Sequence, residues 1–214
     1  MIRIKYSASV FLAIVSMLAS STVFADNSNQ PNLLNGDPIA GKTTSQICQG
    51  CHGIDGNSSS KFVPKLSGQF KGYIEKQMRN YLAGTRSHEL MNGVAAQLSD
   101  KDLADIAAYF ASQTTMTGNG EPPNKLGEKL FLSGDAKEKV MTCAFCHGKD
   151  GKGISAEISM YPVVGGQHKV YLLKQLKNFR DDNRYNSPSI VMNRTVRGLN
   201  DGELEALAEF MSEQ

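Results

Sequence analysis

The sequence contains the stretch Cys48-Gln49-Gly50-Cys51-His52 and, later in the chain, the stretch Cys143-Ala144-Phe145-Cys146-His147. In both, two cysteines lie three positions apart and a histidine follows the second. On one helical turn this spacing brings two thiols to the same side, with an imidazole next to them. The chain has four cysteines in all, so these two stretches account for every thiol.

Two thiols with this spacing can form thioether bonds to the two vinyl groups of a haem, and the histidine then lies under the iron as its proximal ligand. We therefore predict two covalently bound haem c groups. The chain has no tryptophan and 7% aromatic residues, and a haem would fill the core of a small domain that has few large rings. The predicted haem-binding residues are Cys48, Cys51 and His52 in the first motif and Cys143, Cys146 and His147 in the second.

Three other uses of paired cysteines fit less well. A zinc site would need both pairs brought together, although 91 residues lie between Cys51 and Cys143. A disulfide within one pair would close almost no loop and would stabilise the fold little. A thioredoxin-like redox pair would need a strand before a helix, and the sequence shows no convincing strand pattern.

The chain after residue 25 is an internal duplication, because its second part repeats the first in the same order. A polar segment with Gly and Pro at residues 114–124 separates the copies. We predict a domain at residues 26–113, called the first repeat, a linker at residues 114–124, and a domain at residues 125–214, called the second repeat. Besides the cysteine motifs, the matching positions are Leu66-Ser67-Gly68-Gln69 with Val164-Gly165-Gly166-Gln167, Tyr73 with Tyr171, Gln77 with Gln175, Arg86 with Arg184, Met91 with Met192, and Leu98 with Leu199.

Helical patterns occur in both repeats, and the predicted fold class is all-α. Asp37-Pro38 predicts a helix start. Ser99 with Asp102 forms a predicted capping box, and Asn200 with Glu203 repeats it. The apolar residues that follow these boxes at helical spacing are Leu103, Ile106, Ala107 and Phe110 in the first repeat and Leu204, Leu207, Ala208 and Met211 in the second.

Residues 1–25 predict a cleaved export signal. Arg3 and Lys5 precede an apolar run at residues 10–19, and Val23-Phe24-Ala25 matches the small-residue pattern of a cleavage site before Asp26. The apolar run is shorter than the about 20 residues that a membrane-spanning helix needs, so an uncleaved anchor is the weaker interpretation. The mature chain is therefore predicted to be periplasmic or extracellular.

The charge balance excludes one class of function. The chain has 23 basic and 21 acidic residues, and removal of the predicted signal leaves equal numbers. A protein held to nucleic acid mainly by phosphate contacts would need a clear basic excess. We therefore predict no nucleic-acid partner.

The repeat also predicts a second axial ligand for each iron. Met91 and Met192 occupy equivalent positions after the haem motif and just before the last helix. A thioether ligand raises the potential of a haem and suits an electron carrier. His88 is the rival to Met91, but the second repeat has Tyr185 and Asn186 in this region and no histidine.

Two other residues that can bind iron are assigned different roles. Met78 has a leucine at its position in the second repeat and is predicted to pack in the core. His168 has a phenylalanine at its position in the first repeat and is expected at a solvated helix start. With two axial positions filled on each iron, no site is left open for a substrate, so we predict an electron carrier and not an enzyme.

Taken together, the chain resembles the dihaem cytochrome c4 family, whose members carry two tandem class I cytochrome c domains. The resemblance covers essentially all of the predicted mature chain and implies His52 and Met91 on one iron and His147 and Met192 on the other. The residues that carry it are the two cysteine motifs, Pro64 and Pro162 with the glutamine-ending stretches that follow them, Tyr73 with Gln77, Tyr171 with Gln175, and the last helix of each repeat.

The resemblance also implies how the haems are supported. The carbonyls of Pro64 and Pro162 would accept the second ring N–H of each proximal histidine. Arg86 and Arg184 would pair with haem propionates, with a surface arginine on a solvated loop as the alternative interpretation.

For function, the resemblance implies a periplasmic carrier of single electrons between a respiratory donor complex and a haem–copper terminal oxidase. It is expected to be a monomer with loose membrane association. An alternative is an electron-accepting dihaem subunit of a larger, flavocytochrome-like dehydrogenase complex. A third possibility, a small haem enzyme such as a peroxidase or a thiosulfate-oxidising cytochrome, would require one iron to lack its methionine.

Overall fold

Ten α-helices and one 3₁₀ turn, at Pro188–Ile190, form the part of the chain that a computed structural model describes, residues 35–155 and 160–214. These residues contain no strand, only an isolated bridge between Asp135 and Val140, and the prediction of an all-α fold is confirmed. The predicted signal at residues 1–25 lies outside the described residues. The helices are α1 Pro38–Thr44, α2 Gln46–His52, α3 Lys71–Leu82, α4 Glu89–Ala95, α5 Asp100–Ala111, α6 Lys125–Ser133, α7 Ala144–His147, α8 Lys169–Arg180, α9 Val191–Val196 and α10 Asp201–Ser212.

The helices of the second repeat follow the order of those in the first, so that α6 to α10 correspond to α1 to α5. Both predicted capping boxes are confirmed: Ser99 accepts from the N–H of Asp102, and Asn200 accepts from the N–H of Glu203. The predicted start at Asp37-Pro38 is also confirmed, because the Asp37 side chain accepts from the backbone of α1. Local sequence therefore sets these helix starts.

In each repeat the first helix crosses the last helix at a glycine. A Cβ added at Gly41 in α1 would lie 2.0 Å from the carbonyl oxygen of Asp105 in α5. A Cβ added at Gly127 in α6 would lie 2.0 Å from the carbonyl oxygen of Ala206 in α10. The two backbones can approach this closely only because neither glycine has a side chain.

Each repeat has its own hydrophobic cluster. In the first repeat it includes Met78, which confirms the predicted core role of this residue. The buried members of the first cluster are Ile74, Met78, Tyr81, Ala95, Leu103, Ile106, Ala107, Tyr109 and Phe110. Those of the second cluster are Leu130, Phe131, Val140, Leu172, Leu176, Phe179, Val196, Leu199, Leu204, Leu207, Ala208, Phe210 and Met211.

The segment predicted as a linker, residues 114–124, forms hydrogen bonds with both repeats. The side chain of Met116 is 1% exposed, and its N–H donates to the carbonyl of Ser67 at 3.1 Å. The N–H of Gly118 donates to the carbonyl of Gln214 at 2.7 Å. The segment thus holds residues of both repeats at once.

In the described ranges, no helix has the length and apolarity needed to cross a membrane.

Candidate haem-binding sites

The two motif histidines have the same environment. His52 ends α2 and His147 ends α7, and each ring is 7% exposed. The Nδ1 atom of His52 lies 2.8 Å from the carbonyl oxygen of Pro64, and that of His147 lies 2.9 Å from the carbonyl oxygen of Pro162. Since a carbonyl can only accept, Nδ1 carries the proton in both rings. The Nε2 lone pair of each histidine is therefore available to a metal, as the resemblance implies.

Burial also sets the charge of these rings. It lowers the pKa of His52 and His147 below the usual histidine value, although the hydrogen bond to the proline carbonyl opposes the change in each. The nearby His88 lowers the pKa of His52 further. Both rings are thus neutral near pH 7, and the neutral imidazole is the form that binds a metal.

The four cysteines, all within the described residues, form no disulfide. Burial, with a smaller contribution from Cys51, raises the pKa of Cys48 to about 11. Burial raises the pKa of Cys143 to about 12, and it also raises the pKa of Cys146. Unmodified, Cys48, Cys143 and Cys146 are therefore thiols at neutral pH.

The two cysteine pairs are not assembled into one metal site. Across residues 35–155 and 160–214, no three or more His, Cys, Asp or Glu side chains form a group that could hold a metal ion. A four-ligand zinc site would need such a group. The donor set in each repeat is instead one buried imidazole beside two thiols, which fits a haem that is attached covalently.

The two methionines pack beside the same clusters as the cysteines. Met91 in α4 is partly buried and contacts the first cluster, as does Cys48. Met192 in α9 is partly buried and contacts the second cluster, as does Cys143. By contrast, His88 is exposed at the N-cap of α4. A cysteine and a methionine therefore border one apolar region in each repeat.

An asparagine after each methionine anchors the short methionine-bearing helix, a role that the sequence analysis missed. Asn92 donates through Nδ2 to the carbonyl of Tyr81 at 2.6 Å. Asn193, which is 1% exposed, donates through Nδ2 to the carbonyl of Phe179 at 2.8 Å. The signal was present in the sequence, because a Met-Asn pair occurs at the same position in both repeats.

The approach to Met192 differs from the approach to Met91. The second repeat has three more residues between Arg184 and Met192 than the first repeat has between the equivalent residues, Arg86 and Met91. The extra length forms the 3₁₀ turn, in which Ser189 and the following Ile190 have φ of 48° and 50°. Left-handed backbone is unfavourable for a β-branched residue, so this loop is strained beside one methionine only.

Arg86 and Arg184 are buried, so the interpretation of a solvated surface arginine is wrong. Arg86 is 9% exposed and Arg184 is 6% exposed. Each reaches a tyrosine of the other repeat: Arg86 donates to the hydroxyl of Tyr171 at 3.0 Å, and Arg184 donates to the hydroxyl of Tyr73 at 3.1 Å. We call Tyr73, Gln77, Arg86, Tyr171, Gln175 and Arg184 the central polar cluster.

The glutamines of the central polar cluster tie the two arginines together. The Oε1 atom of Gln77 accepts from Arg86 at 2.8 Å and from Arg184 at 3.0 Å. The Oε1 atom of Gln175 accepts from Arg184 at 2.8 Å and from Arg86 at 3.3 Å. Each glutamine thus bridges both repeats, and the arrangement is nearly two-fold symmetric.

The central polar cluster has an excess of positive charge. Neither arginine has an ion pair with a carboxylate within the described part of the chain. Burial alone would raise the pKa of Tyr73, but Arg184 and Arg86 lower it overall. Two buried guanidinium groups without an acidic side chain fit a site for anionic haem propionates.

His168 is not a solvated residue, which corrects the expectation from the sequence. It lies at the N-cap of α8 and is half-buried. Its Nε2 atom lies 2.9 Å from the carbonyl oxygen of Ser58 in the first repeat. The missed role is a contact between repeats, which the phenylalanine at the equivalent position cannot make.

Comparisons with known proteins agree with this geometry. The Cytochrome c family matches residues 39–114 and 125–214. A cytochrome c4 from Pseudomonas aeruginosa is 39% identical over an alignment of 178 residues that covers 82% of this chain and 88% of that protein. A thiosulfate dehydrogenase electron acceptor from Stutzerimonas stutzeri is 33% identical over an alignment of 171 residues that covers 77% of each protein.

The solved structures include a similar molecule. The crystal structure of reduced recombinant cytochrome c4 from Pseudomonas stutzeri is similar with a TM-score of 0.78 at 38% identity, over 83% of this chain and 98% of that chain. Both repeats match the Cytochrome c family, and each has a cysteine motif whose histidine is hydrogen-bonded to a proline carbonyl. The protein therefore carries two covalently bound haem c groups, and its relatives imply that its partners are redox proteins. The chain therefore belongs to the cytochrome c4 family of dihaem electron carriers, which are not enzymes.

Proposed function

We propose that His52 and Met91 bind the iron of the first haem and that His147 and Met192 bind the iron of the second. One observation carries this assignment: each repeat has a buried motif histidine with a free Nε2 atom, and it packs the first cysteine of the same motif and a methionine against one apolar cluster. We also propose residues 26–113 and 125–214 as the two haem domains, with residues 114–124 between them.

The residues of the chain have distinct tasks in electron transfer. When bound, each haem supplies a one-electron iron couple. The cysteines hold the ring system covalently, and the proline carbonyls fix the orientation of the proximal histidines. The hydrophobic clusters keep water away from the iron ligands, so that little reorganisation accompanies the change in charge.

We propose that partners approach near the cysteine motifs. Large apolar side chains that are more than 45% exposed flank both motifs in the sequence. They are Ile47, Ile54 and Phe62 near the first motif and Met141, Phe145 and Ile154 near the second. Exposed apolar groups of this kind suit short-lived docking of redox proteins.

For the cellular role, we propose transfer of electrons in the periplasm, from a respiratory donor complex to a haem–copper terminal oxidase. The predicted export signal supports the compartment. We expect a monomer that associates loosely with the membrane. A second candidate, the electron acceptor of a dehydrogenase complex, is favoured by the similarity to the thiosulfate dehydrogenase electron acceptor. Co-purification with a dehydrogenase would favour the second candidate, and reduction of a terminal oxidase by the free protein would favour the first.

The axial ligands can be tested by optical spectroscopy. The purified protein should contain two c-type haems per chain and show the weak near-infrared band of ferric iron bound to methionine. Met91→Ala or Met192→Ala should each remove about half of this band. Each should also lower the potential of one haem by on the order of 0.1 V, well within the roughly 0.8 V over which axial ligands set haem potentials.

Met141→Ala is the matched control, because Met141 is 52% exposed and should leave the band unchanged. A five-coordinate high-spin iron in the wild-type protein would contradict the proposed ligation. An intact band in both Met91→Ala and Met192→Ala would assign the sixth ligand to other residues.

A further inference from the structure

Two glutamines cross from one repeat to the backbone of the other. The N–H of Val163 donates to Oε1 of Gln69 at 2.9 Å, and Nε2 of Gln69 donates to the carbonyl of Val163 at 2.9 Å. In the opposite direction, the N–H of Lys65 donates to Oε1 of Gln167 at 2.9 Å, and Nε2 of Gln167 donates to the carbonyl of Lys65 at 2.9 Å. Both glutamines are 4% exposed. The contact is thus made twice, with the repeats exchanged.

Each glutamine accepts a hydrogen bond from the N–H of a peptide group, and the carbonyl of the same peptide group accepts from a proximal histidine. One peptide group joins the carbonyl of Pro64 to the N–H of Lys65. Its oxygen accepts from His52 at 2.8 Å, while its N–H donates to Gln167. The peptide group after Pro162 is used in the same way by His147 and Gln69. A chain of hydrogen bonds therefore runs from each glutamine to the histidine of the other repeat.

Hydrogen bonds at the two ends of one peptide group strengthen each other. When its N–H is bound to the glutamine oxygen, the carbonyl carries more negative charge and accepts more strongly. A stronger acceptor makes the imidazole a more basic ligand, which favours ferric over ferrous iron. The expected consequence is a lower potential for the haem at the far end of the chain.

We propose that Gln167 tunes the haem bound by His52 and that Gln69 tunes the haem bound by His147, so that the repeats set each other's redox potential. This inference rests on the proposed ligation by the two histidines. The glutamines are positioning residues, because each acts through a peptide group and not by contact with the iron.

A purely local role does not account for the geometry. Oε1 of each glutamine also accepts from the N–H of the next residue, Phe70 at 3.1 Å or His168 at 3.0 Å. That contact supports the start of α3 or α8 and needs nothing from the other repeat. The paired contacts to Val163 and Lys65 are additional, and they occur in both directions.

The test uses the full-length holoprotein with ¹⁵N-labelled histidine in the ferrous, diamagnetic state. Gln167→Leu should shift the Nδ1–H proton of His52 to lower frequency and leave that of His147 in place. In a redox titration followed through assigned haem methyl signals, the potential of the first haem should rise. Gln69→Leu should give the same changes at His147 and the second haem.

A second variant and a control complete the test. Gln167→Glu keeps an oxygen acceptor for Lys65 and should move the His52 proton in the direction opposite to Gln167→Leu. Gln97→Leu is the control, because Gln97 is exposed, lies in the turn after α4 and donates through its side chain to the nearby carbonyl of Gly93 of its own repeat. It should leave both histidine protons and both potentials unchanged.

Three results would overturn the inference: a change at the haem of the glutamine's own repeat, no change at either histidine, or a fall in both potentials. The last would indicate that water had entered an opened interface. Failure of the ligation itself would be distinct. The ring protons of His52 and His147 would then lack the large upfield shift that a haem ring current causes in wild-type protein.

Discussion

Gly127→Ala is expected to destabilise the folded protein by about 3 kcal/mol, as overpacking at a tight contact does. The added methyl group would lie 2.0 Å from the carbonyl oxygen of Ala206 and 2.8 Å from Cβ of Phe210. Both are close to the rigid backbone of α10, so the helices must separate. Gly41→Ala should act alike in the first repeat, where the methyl group would meet the carbonyl of Asp105. Denaturant unfolding of the holoprotein measures both effects.

Gly93→Ala is the matched control for this prediction. Gly93 lies inside α4, and an added Cβ would have no atom within 4 Å other than those of its own helix backbone and chain neighbours. Alanine is the better helix former by about 1 kcal/mol, so this variant should be slightly more stable than wild type. Equal stabilities of Gly93→Ala and Gly127→Ala would show that the helix crossing does not depend on a glycine.

Arg184→Gln is expected to cost about 2–4 kcal/mol of unfolding free energy, because it removes four hydrogen bonds that a buried guanidinium donates. The guanidinium of Arg184 donates to the hydroxyl of Tyr73 and to the side-chain oxygens of Gln77, Gln175 and Asn186. Its loss also removes a positive charge that lowers the pKa of Tyr73, so the pKa of this tyrosine should rise. Thermal unfolding and ultraviolet titration of the tyrosines check the two effects.

Arg79→Gln is the comparison for the loss of an arginine. Arg79 pairs with Asp100 at 2.6 Å, but its side chain is 41% exposed and that of Asp100 is 68% exposed. Exposed ion pairs contribute about 0–1 kcal/mol, so this variant should remain close to wild type. If Arg184→Gln is no less stable than Arg79→Gln, the central polar cluster does not stabilise the contact between repeats.

Coupling within the cluster gives an additional check. Arg86 and Arg184 share the oxygens of Gln77 and Gln175. The free-energy changes caused by mutating two side chains of one hydrogen-bond network do not add up to that of the double variant. The double variant of Arg86 and Arg184 should therefore lose an amount of unfolding free energy that differs from the sum of the two single losses. The double variant of Arg184 and Arg79 should lose the sum of its two single losses.

Much of the fold could be predicted because its signals are local. Each cysteine motif lies within little more than one helical turn, so its spacing can be interpreted without knowing the tertiary structure. The capping boxes at Ser99 and Asn200 involve residues three positions apart. The duplication strengthens these predictions, because a residue type that occurs at the same position in both repeats is better evidence for a role than one that occurs once.

The errors and omissions concern contacts between distant residues. The alternative interpretation of Arg86 as a solvated loop arginine is wrong, because Arg86 is buried and its partner Tyr171 is 85 positions away. His168 looked solvated, but it contacts Ser58, 110 positions away. No periodicity within one repeat can reveal such a partner, because it depends on which faces of the two repeats meet.

The sequence by itself therefore determined the covalent chemistry, the helical class and the duplication. These depend on residue type and on short spacings that the backbone converts directly into neighbouring side chains. Only the tertiary structure decided that Gln69 and Gln167 reach across to Val163 and Lys65, and that two arginines are buried together. The physical reason is that buried polar groups must find partners wherever packing places them. Here the partners of each repeat lie in the other.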